Sequence, residues 1–218
     1  MEQMHVIGTE SLVLVSITSI FTGGVGALTF LTQFGDYIPL RYVGAAVGSS
    51  VIVAIGPVLT GLVVAGRVGA AISSEVGTMV VTEQVDAMRC LNLSPFRFLF
   101  APRIAAGMIM VPVLNIFSTC IAVLGAYVIL YLVAGMASNT FFSGVRLFYT
   151  DWGLAVGIIK SFVFGIIITS VGCYYGYFCT HGAEGVGKAT RASVVTSDIS
   201  ILISGYLIDY FLLNNPMF

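Results

Sequence analysis

Residues 67–103 read RVGAAISSEVGTMVVTEQVDAMRCLNLSPFRFLFAPR. This stretch holds seven of the nineteen charged residues in the chain. It is flanked by two long stretches, 42–66 and 104–145, that contain no charged residue. Each flank is longer than the roughly 20 helical residues that cross the hydrocarbon core of a bilayer. The charged stretch is therefore predicted to connect two membrane spans.

The composition extends this interpretation to the whole chain. Its 218 residues are 58% hydrophobic and 9% charged, whereas a soluble domain carries about a quarter charged residues. Further uncharged stretches cover 11–35 and 161–183, and only Asp198 and Asp209 interrupt 192–213. These stretches are too long and too unalternating for barrel strands, and lipid otherwise admits only helices. The sequence predicts an all-α integral membrane protein, 1–218, with five transmembrane helices in one domain.

The orientation follows from the distribution of lysine and arginine. The predicted spans are 10–34, 43–66, 103–134, 152–178 and 193–213. The connections 67–103 and 179–192 hold six of these cations, against Arg41 and Arg146 on the opposite side. Cytoplasmic loops carry the excess of positive charge, so the N-terminus is predicted inside and the C-terminus outside. A bacterial inner membrane is the expected location, with a plastid inner envelope as the alternative.

Within the charged stretch, the segment 73–95 is predicted to contain a short amphipathic helix from Met79 to Leu91. Asn92 is expected to end it in the left-handed conformation, and Pro95 prevents its continuation. A helix lying on lipid is the alternative, but such a helix normally displays lysine and arginine, and this one has an acidic face. A partner protein fits that face better. The residues predicted to contact it are Glu75, Thr82, Glu83, Gln84, Asp86 and Arg89.

A second cytoplasmic segment, GAEGVGKA at 182–189, is nearly a phosphate-binding P-loop. The motif requires a hydroxyl where Ala189 stands and a strand before the glycines, and Glu184 would repel phosphate. The segment is therefore predicted to hold no nucleotide, so this chain binds no cofactor. In an ATP-driven system, ATP and magnesium would belong to a partner ATPase. The residues singled out in this segment are Gly182, Gly185, Gly187 and Lys188.

Charged residues inside spans are costly and predict function by default. Asp198 and Asp209 lie on one face of the last span, either lining a polar path for a lipid headgroup or reaching the two interfaces. Lys160 either contacts a lipid phosphate or pairs with Asp151. Threonines of the first span either line a cavity or bond to their own helix. The candidates for a lipid cavity are Thr18, Thr22, Thr29, Lys160, Asp198, Tyr206 and Asp209.

Other classes of function find little support. The net charge of −1 leaves no basic face for nucleic acid. No catalytic or metal-ligating motif is present, and the four cysteines form no closely spaced pair. An ion- or proton-coupled secondary transporter of lipids or small molecules is the alternative. Five spans do not divide into two inverted halves, which disfavours it.

Several motifs resemble one family of membrane proteins. They are GPVL at 56–59, AGRVGAA at 65–71, EVGTM at 75–79, TEQVDAM at 82–88, APR at 101–103, and GAEGVGKAT at 182–190 followed by SVV at 193–195. Together they are similar to the permease subunit of MlaE-family ABC transporters, which move phospholipids. Some members carry an Arg-Glu pair shortly before the Gly-Pro, where this chain has Val53, Ala54 and Ile55, so a role of that pair is not transferred.

The resemblance also implies partners and an assembly. Two copies would form a dimer with a lipid cavity between them. Each copy would dock on a cytoplasmic ABC ATPase through the segment 73–95. A lipid-carrying MCE-domain protein on the outer side and the phospholipid itself complete the expected set of partners.

Overall fold

The computed structural model describes residues 2–35, 37–180 and 182–213, which form seven helices and no strand. Helix α1 comprises Glu2–Gly8, a 3-10 turn at Thr9–Ser11, and Leu12–Phe34. Helix α2 comprises Leu40–Ser50, Gly56–Val64 and Ala70–Val81, joined by π-helical turns at Val51–Ile55 and Ala65–Gly69. The others are α3 (Gln84–Cys90), α4 (a π turn at Phe96–Phe100, then Ala101–Ala134), α5 (Ser138–Phe148), α6 (Asp151–Tyr177) and α7 (Gly182–Leu213).

Five of these helices, α1, α2, α4, α6 and α7, are long and apolar enough to cross a membrane. The prediction of an all-α integral membrane protein with five spans is confirmed. Arg89 of α3 contacts Tyr177 at the end of α6, so α3 and the connection from α6 to α7 share one end of the bundle. This end is called the α3 end, and the opposite one, where α5 packs on the start of α2, is called the α5 end.

Most of the predicted loop 67–103 is helical, which corrects the expected end of the second span at 66. Helix α2 continues through Ala70–Val81, where Ile72 and Val76 are buried in the core. Its 42 residues amount to about 63 Å at helical rise, roughly twice the thickness of a hydrocarbon core. Helix α2 is therefore longer than a membrane crossing requires, and α3 follows directly at its C-terminal end.

Helix α5 lies in a stretch that the sequence interpretation treated as a loop. Its buried residues, Phe141 and Gly144, face the first turns of α2. At Gly144 even a Cβ would overlap with the carbonyl oxygen of Arg41, so the two backbones touch. Eleven residues are too few to span a membrane, so a hydrophobic run of membrane length gives no signal for this helix.

Small residues bring the long helices into backbone contact. A Cβ on Gly23 of α1 would overlap with the carbonyl of Ala122 in α4, and one on Gly125 would lie 2.6 Å from the carbonyl oxygen of Ile20. In the same way, a Cβ on Gly165 of α6 would overlap with the carbonyl of Gly107 in α4. Membrane helices associate through such close packing because lipid gives them no hydrophobic drive toward each other.

The substitution Gly23→Ala is expected to push α1 and α4 apart. We expect a loss of about 1–3 kcal/mol in the free energy of unfolding, as for other overpacked sites. Thermal unfolding of the purified protein in detergent measures it. The matched control is Gly26→Ala, because a Cβ there has no atom within 4 Å. Equal stability of the two variants would contradict the contact between α1 and α4.

Candidate transport and coupling site

The ammonium group of Lys160 lies inside the bundle with no exposed surface. Its Nζ atom is 2.5 Å from Oδ1 of Asp209 in α7. It also donates a hydrogen bond of 2.8 Å to the carbonyl oxygen of Val53 in α2. Val53 belongs to the first π-helical turn of α2, where the regular α-helical hydrogen-bond pattern is interrupted. One cation thereby joins α2, α6 and α7.

This arrangement corrects two expectations. Lys160 neither pairs with Asp151 nor reaches the interface, because its side chain points across the bundle toward α2 and α7. Asp209, whose side chain is 32% exposed, turns inward to the ammonium and not to the outer interface. Unpaired charges of this kind would cost several kcal/mol each in the membrane interior. Contact of either residue with lipid stays a prediction and requires this pair to open.

The other two candidates on α7 lie apart from this pair. Oδ1 of Asp198 is buried and has no hydrogen-bond partner within the described parts of the chain. Eleven residues separate it from Asp209, or about 16 Å along the helix. Tyr206 is 68% exposed, and its ring stacks on that of Tyr210 on the outside of the bundle. The structure therefore does not bring Asp198, Tyr206 and Asp209 into one site.

A chain of buried hydroxyls lies at the centre of the bundle. Thr60 of α2 donates a hydrogen bond of 2.7 Å to Ser118 of α4, whose Oγ is also 2.7 Å from that of Ser19 in α1. Beside it, Thr18 and Thr22 line a narrow cleft with room for about one water molecule. The sequence interpretation missed Ser19, Thr60 and Ser118, because isolated serines and threonines are ordinary in membrane helices.

Thr29 does not share this cleft. It is exposed, and its hydroxyl bonds to the carbonyl of Val25 in its own helix at 2.9 Å. Beside it, α1 and α4 form an apolar groove of about 440 Å³ on the outside of the bundle. Its larger lining residues are Ile20, Phe21, Val25, Leu28, Ile121, Leu124, Val128 and Ile129.

The prediction of one continuous helix from Met79 to Leu91 is wrong, because the helix is broken at Glu83. Glu83 has a φ of 60°, in the left-handed region, so α2 ends at Val81 and α3 begins at Gln84. Within α3 and its cap, Val85 is buried, whereas Leu91 is 71% exposed, so the apolar residues of the segment do not form one buried face. The periodicity of the segment fits one continuous helix and gives no sign of a left-handed glutamate.

The end of α3 matches the expectation for Asn92. This residue has a φ of 58°. The N–H of Leu93 bonds to the carbonyl of Met88 at 3.0 Å, and that of Asn92 to the carbonyl of Arg89 at 2.9 Å. These two bonds are those of a Schellman motif, in which a left-handed residue closes a helix. The predicted role of Asn92 is confirmed.

Three of the six residues predicted to contact a partner, Glu75, Thr82 and Arg89, are bonded within the chain. Glu75 lies 3.0 Å from the buried guanidinium of Arg103, which closes the base of the segment between α2 and α4. Arg89 lies 3.0 Å from Asp86 and contacts the Tyr177 hydroxyl. Thr82 bonds back to the carbonyl of Thr78 at 2.9 Å.

The remaining residues of that set lie at the tip of the segment. Glu83, Gln84 and Asp86 are all exposed, although Asp86 also holds Arg89. Glu83 lies in the turn between α2 and α3, and Gln84 and Asp86 lie in the first turn of α3. Their contact with an ATPase stays a prediction.

The glycine-rich segment forms the first two turns of α7. Gly182, Gly185, Gly187 and Lys188 are all helical, and Lys188 pairs with Glu184 at 2.8 Å. A phosphate-binding loop presents free backbone N–H groups before its helix begins. In this chain the backbone N–H groups of the glycine-rich segment belong to α7 itself and not to a loop before it.

Comparison with known proteins assigns the family. The sequence model of the family described as "Permease MlaE" matches residues 1–211. The chain belongs to the MlaE permease family. A probable ABC transporter permease protein of Rickettsia typhi is 40% identical to it, over 95% of this chain and 80% of the relative. The resemblance carried by the motifs at 56–103 and 182–195 is confirmed, and the chain is an ABC transporter permease.

Two further relatives come from Haemophilus influenzae and Arabidopsis thaliana. The intermembrane phospholipid transport system permease protein MlaE of Haemophilus influenzae is 32% identical, over 92% of this chain and 77% of the relative. The chloroplastic protein TRIGALACTOSYLDIACYLGLYCEROL 1 of Arabidopsis thaliana is 31% identical, over 97% of this chain and 60% of the relative.

Removing one partner of the buried pair is expected to destabilise this MlaE-family permease. Lys160→Met leaves Asp209 without its cation, and we expect a loss of about 2–3 kcal/mol, less than for fully buried pairs because Asp209 is partly exposed. The double variant Lys160→Met/Asp209→Leu should recover most of it. Thermal unfolding in detergent measures both.

The matched control for this pair is Lys188→Met, which breaks the exposed pair with Glu184. We expect an effect of less than about 1 kcal/mol there. If Lys160→Met were as stable as the unchanged protein, the buried pair would not hold α6 and α7 together.

Proposed function

We propose that this chain is the membrane subunit of an ATP-driven phospholipid transporter. The substrate class is supported by the relative in Haemophilus influenzae, whose name assigns it to intermembrane phospholipid transport. Two copies would enclose the lipid, a cytoplasmic ABC ATPase would dock on each, and an MCE-domain protein would receive or deliver lipid on the outer side.

The observation that carries this proposal is the position of α3. Two helices longer than a membrane crossing requires, α2 and α4, hold α3 between them. Glu75 of α2 and Arg103 of α4 pair with each other at 3.0 Å. Glu83, Gln84 and Asp86 face outward at the tip of α3. A soluble ATPase that moved this tip would move two spans at once.

The α3 end is proposed to face the cytoplasm, because the segments 67–103 and 179–192 hold six of the nine lysines and arginines, against Arg41 and Arg146 toward the α5 end. ATP and magnesium are proposed to bind to the partner, because the glycines at 182–187 are wound into α7. A bacterial inner membrane is the proposed location. The chloroplastic relative keeps a plastid envelope as the alternative.

The lipid is proposed to use two surfaces of different character. The acyl chains fit the apolar groove between α1 and α4, where the outer face of α1 would meet the second copy. A headgroup requires polar partners, and the Lys160–Asp209 pair places charged groups inside the bundle. Its opening would expose an ammonium to phosphate, a charge-assisted interaction.

A proton-coupled secondary transporter is the second candidate. The same Lys160–Asp209 pair favours it, since buried titratable pairs in membranes also serve proton relays. In that case no ATPase would dock on α3 and move it. The two candidates differ in the source of energy.

Reversing the charge at the tip of α3 is expected to release the ATPase. We expect Glu83→Arg to weaken ATPase binding by about tenfold or more, since opposed like charges at an interface cost several kcal/mol. The measurement is the amount of ATP-binding chain that copurifies in mild detergent, at matched thermal stability of the permease.

The matched control is Arg146→Glu, a charge reversal at an exposed residue of α5 at the opposite end. It should retain the ATPase. Unchanged copurification with Glu83→Arg would remove the docking role of α3. If no ATP-binding chain accompanies the unchanged protein from native membranes, the proposed function itself fails.

A further inference from the structure

We propose that Tyr177 is a positioning residue that ties α3 to α6 through Arg89 and so transmits the movement of α3 to the buried Lys160–Asp209 pair. This inference rests on the proposed function, because it presupposes that a partner moves α3. The chain itself connects α3 to the bundle through α2 and α4. The contact between Arg89 and Tyr177 is a third connection.

Tyr177 lies where three helices meet. Its hydroxyl contacts Nη2 of Arg89 in α3, and the guanidinium carbon of Arg89 is 5.5 Å from the centre of its ring. The ring packs edge to face on Phe100 of α4, with centroids 5.4 Å apart. Asp86 holds the other side of Arg89 at 3.0 Å. The hydroxyl therefore has a fixed partner, and the ring is held independently of that partner.

Helices α2 and α4, which connect α3 to the bundle along the chain, are interrupted by π turns, whereas α6 is not. Between α3 and Lys160, helix α2 contains the π turns Ala65–Gly69 and Val51–Ile55. Helix α4 begins with the π turn Phe96–Phe100 and contains Pro112. Such turns and prolines are the places where helices bend. Helix α6 is regular α-helix from Asp151 to Tyr177.

Because α6 is regular, it is a stiffer link from the α3 end to the buried cation than α2 or α4. Tyr177 and Lys160 are separated by 17 residues, or about 25 Å along one rod. A displacement of Arg89 that shifts Tyr177 along this rod also shifts Lys160. Its partners Val53 and Asp209 lie on other helices, so the shift changes the distances within the pair.

The test uses the complete transporter and the variant Tyr177→Phe, which removes the hydroxyl and keeps the ring on Phe100. We expect the ATPase to copurify as before and ATP hydrolysis to continue. The amount of phospholipid moved per ATP hydrolysed should fall by about two- to fivefold, the range for a partly exposed bond to a charged group.

The matched control is Tyr174→Phe, one turn earlier on α6. Tyr174 is 59% exposed, and its ring packs on Tyr175 and Phe178. It should leave the lipid moved per ATP unchanged. A merely structural role for Tyr177 would lower thermal stability without changing this ratio.

A double-mutant cycle with Arg89→Ala separates this inference from the proposed function. If the two residues act as one link, the double variant should be no worse than the more affected single variant. An unchanged ratio in Tyr177→Phe, or fully additive losses in the double variant, would overturn the role of Tyr177. Failure of the unchanged complex to move phospholipid with ATP would instead overturn the proposed function.

Discussion

The buried ammonium of Lys160 is the constraint on which the arrangement of helices depends. A cation at this depth is tolerated only with close partners, because the surroundings cannot hydrate it. The carboxylate of Asp209 and the carbonyl of Val53 provide them, and they come from two other helices. The three helices α2, α6 and α7 therefore converge on one point. The π turn of α2 at Val51–Ile55 supplies one of these partners.

The second π turn of α2 coincides with another cation. Arg67, in Ala65–Gly69, donates a hydrogen bond of 2.6 Å to Ser11 and lies 2.5 Å from Glu10 in α1. The first π turn thus supplies a partner for the cation of α6, and the second carries a cation that reaches α1. Since π turns in membrane helices are frequent at functional sites, α2 is both the central support and the helix with built-in points of bending. This combination suits a protein that must transmit movement without losing its fold.

The sequence alone predicted what depends on composition and on local patterns. The five spans, the family and the left-handed Asn92 followed from hydrophobic runs, motifs and turn chemistry. The extension of α2 to Val81 did not follow from the sequence. Its polar residues suggested a loop, whereas tertiary packing keeps them helical. The partner of Lys160 did not follow from the sequence either. A single sequence shows which residues are charged, but the crossing of α6 and α7 determines which carboxylate contacts the ammonium. The break at Glu83 was missed because glutamate has no preference for the left-handed conformation.

The most direct test of the account is the source of energy for lipid movement. The complete transporter, purified with its partners and reconstituted into vesicles, would be assayed for transfer of a labelled phospholipid. The account predicts that transfer requires hydrolysable ATP and stops with a non-hydrolysable analogue, whether or not a proton gradient is present. Transfer that a proton gradient drives in the absence of ATP would contradict it.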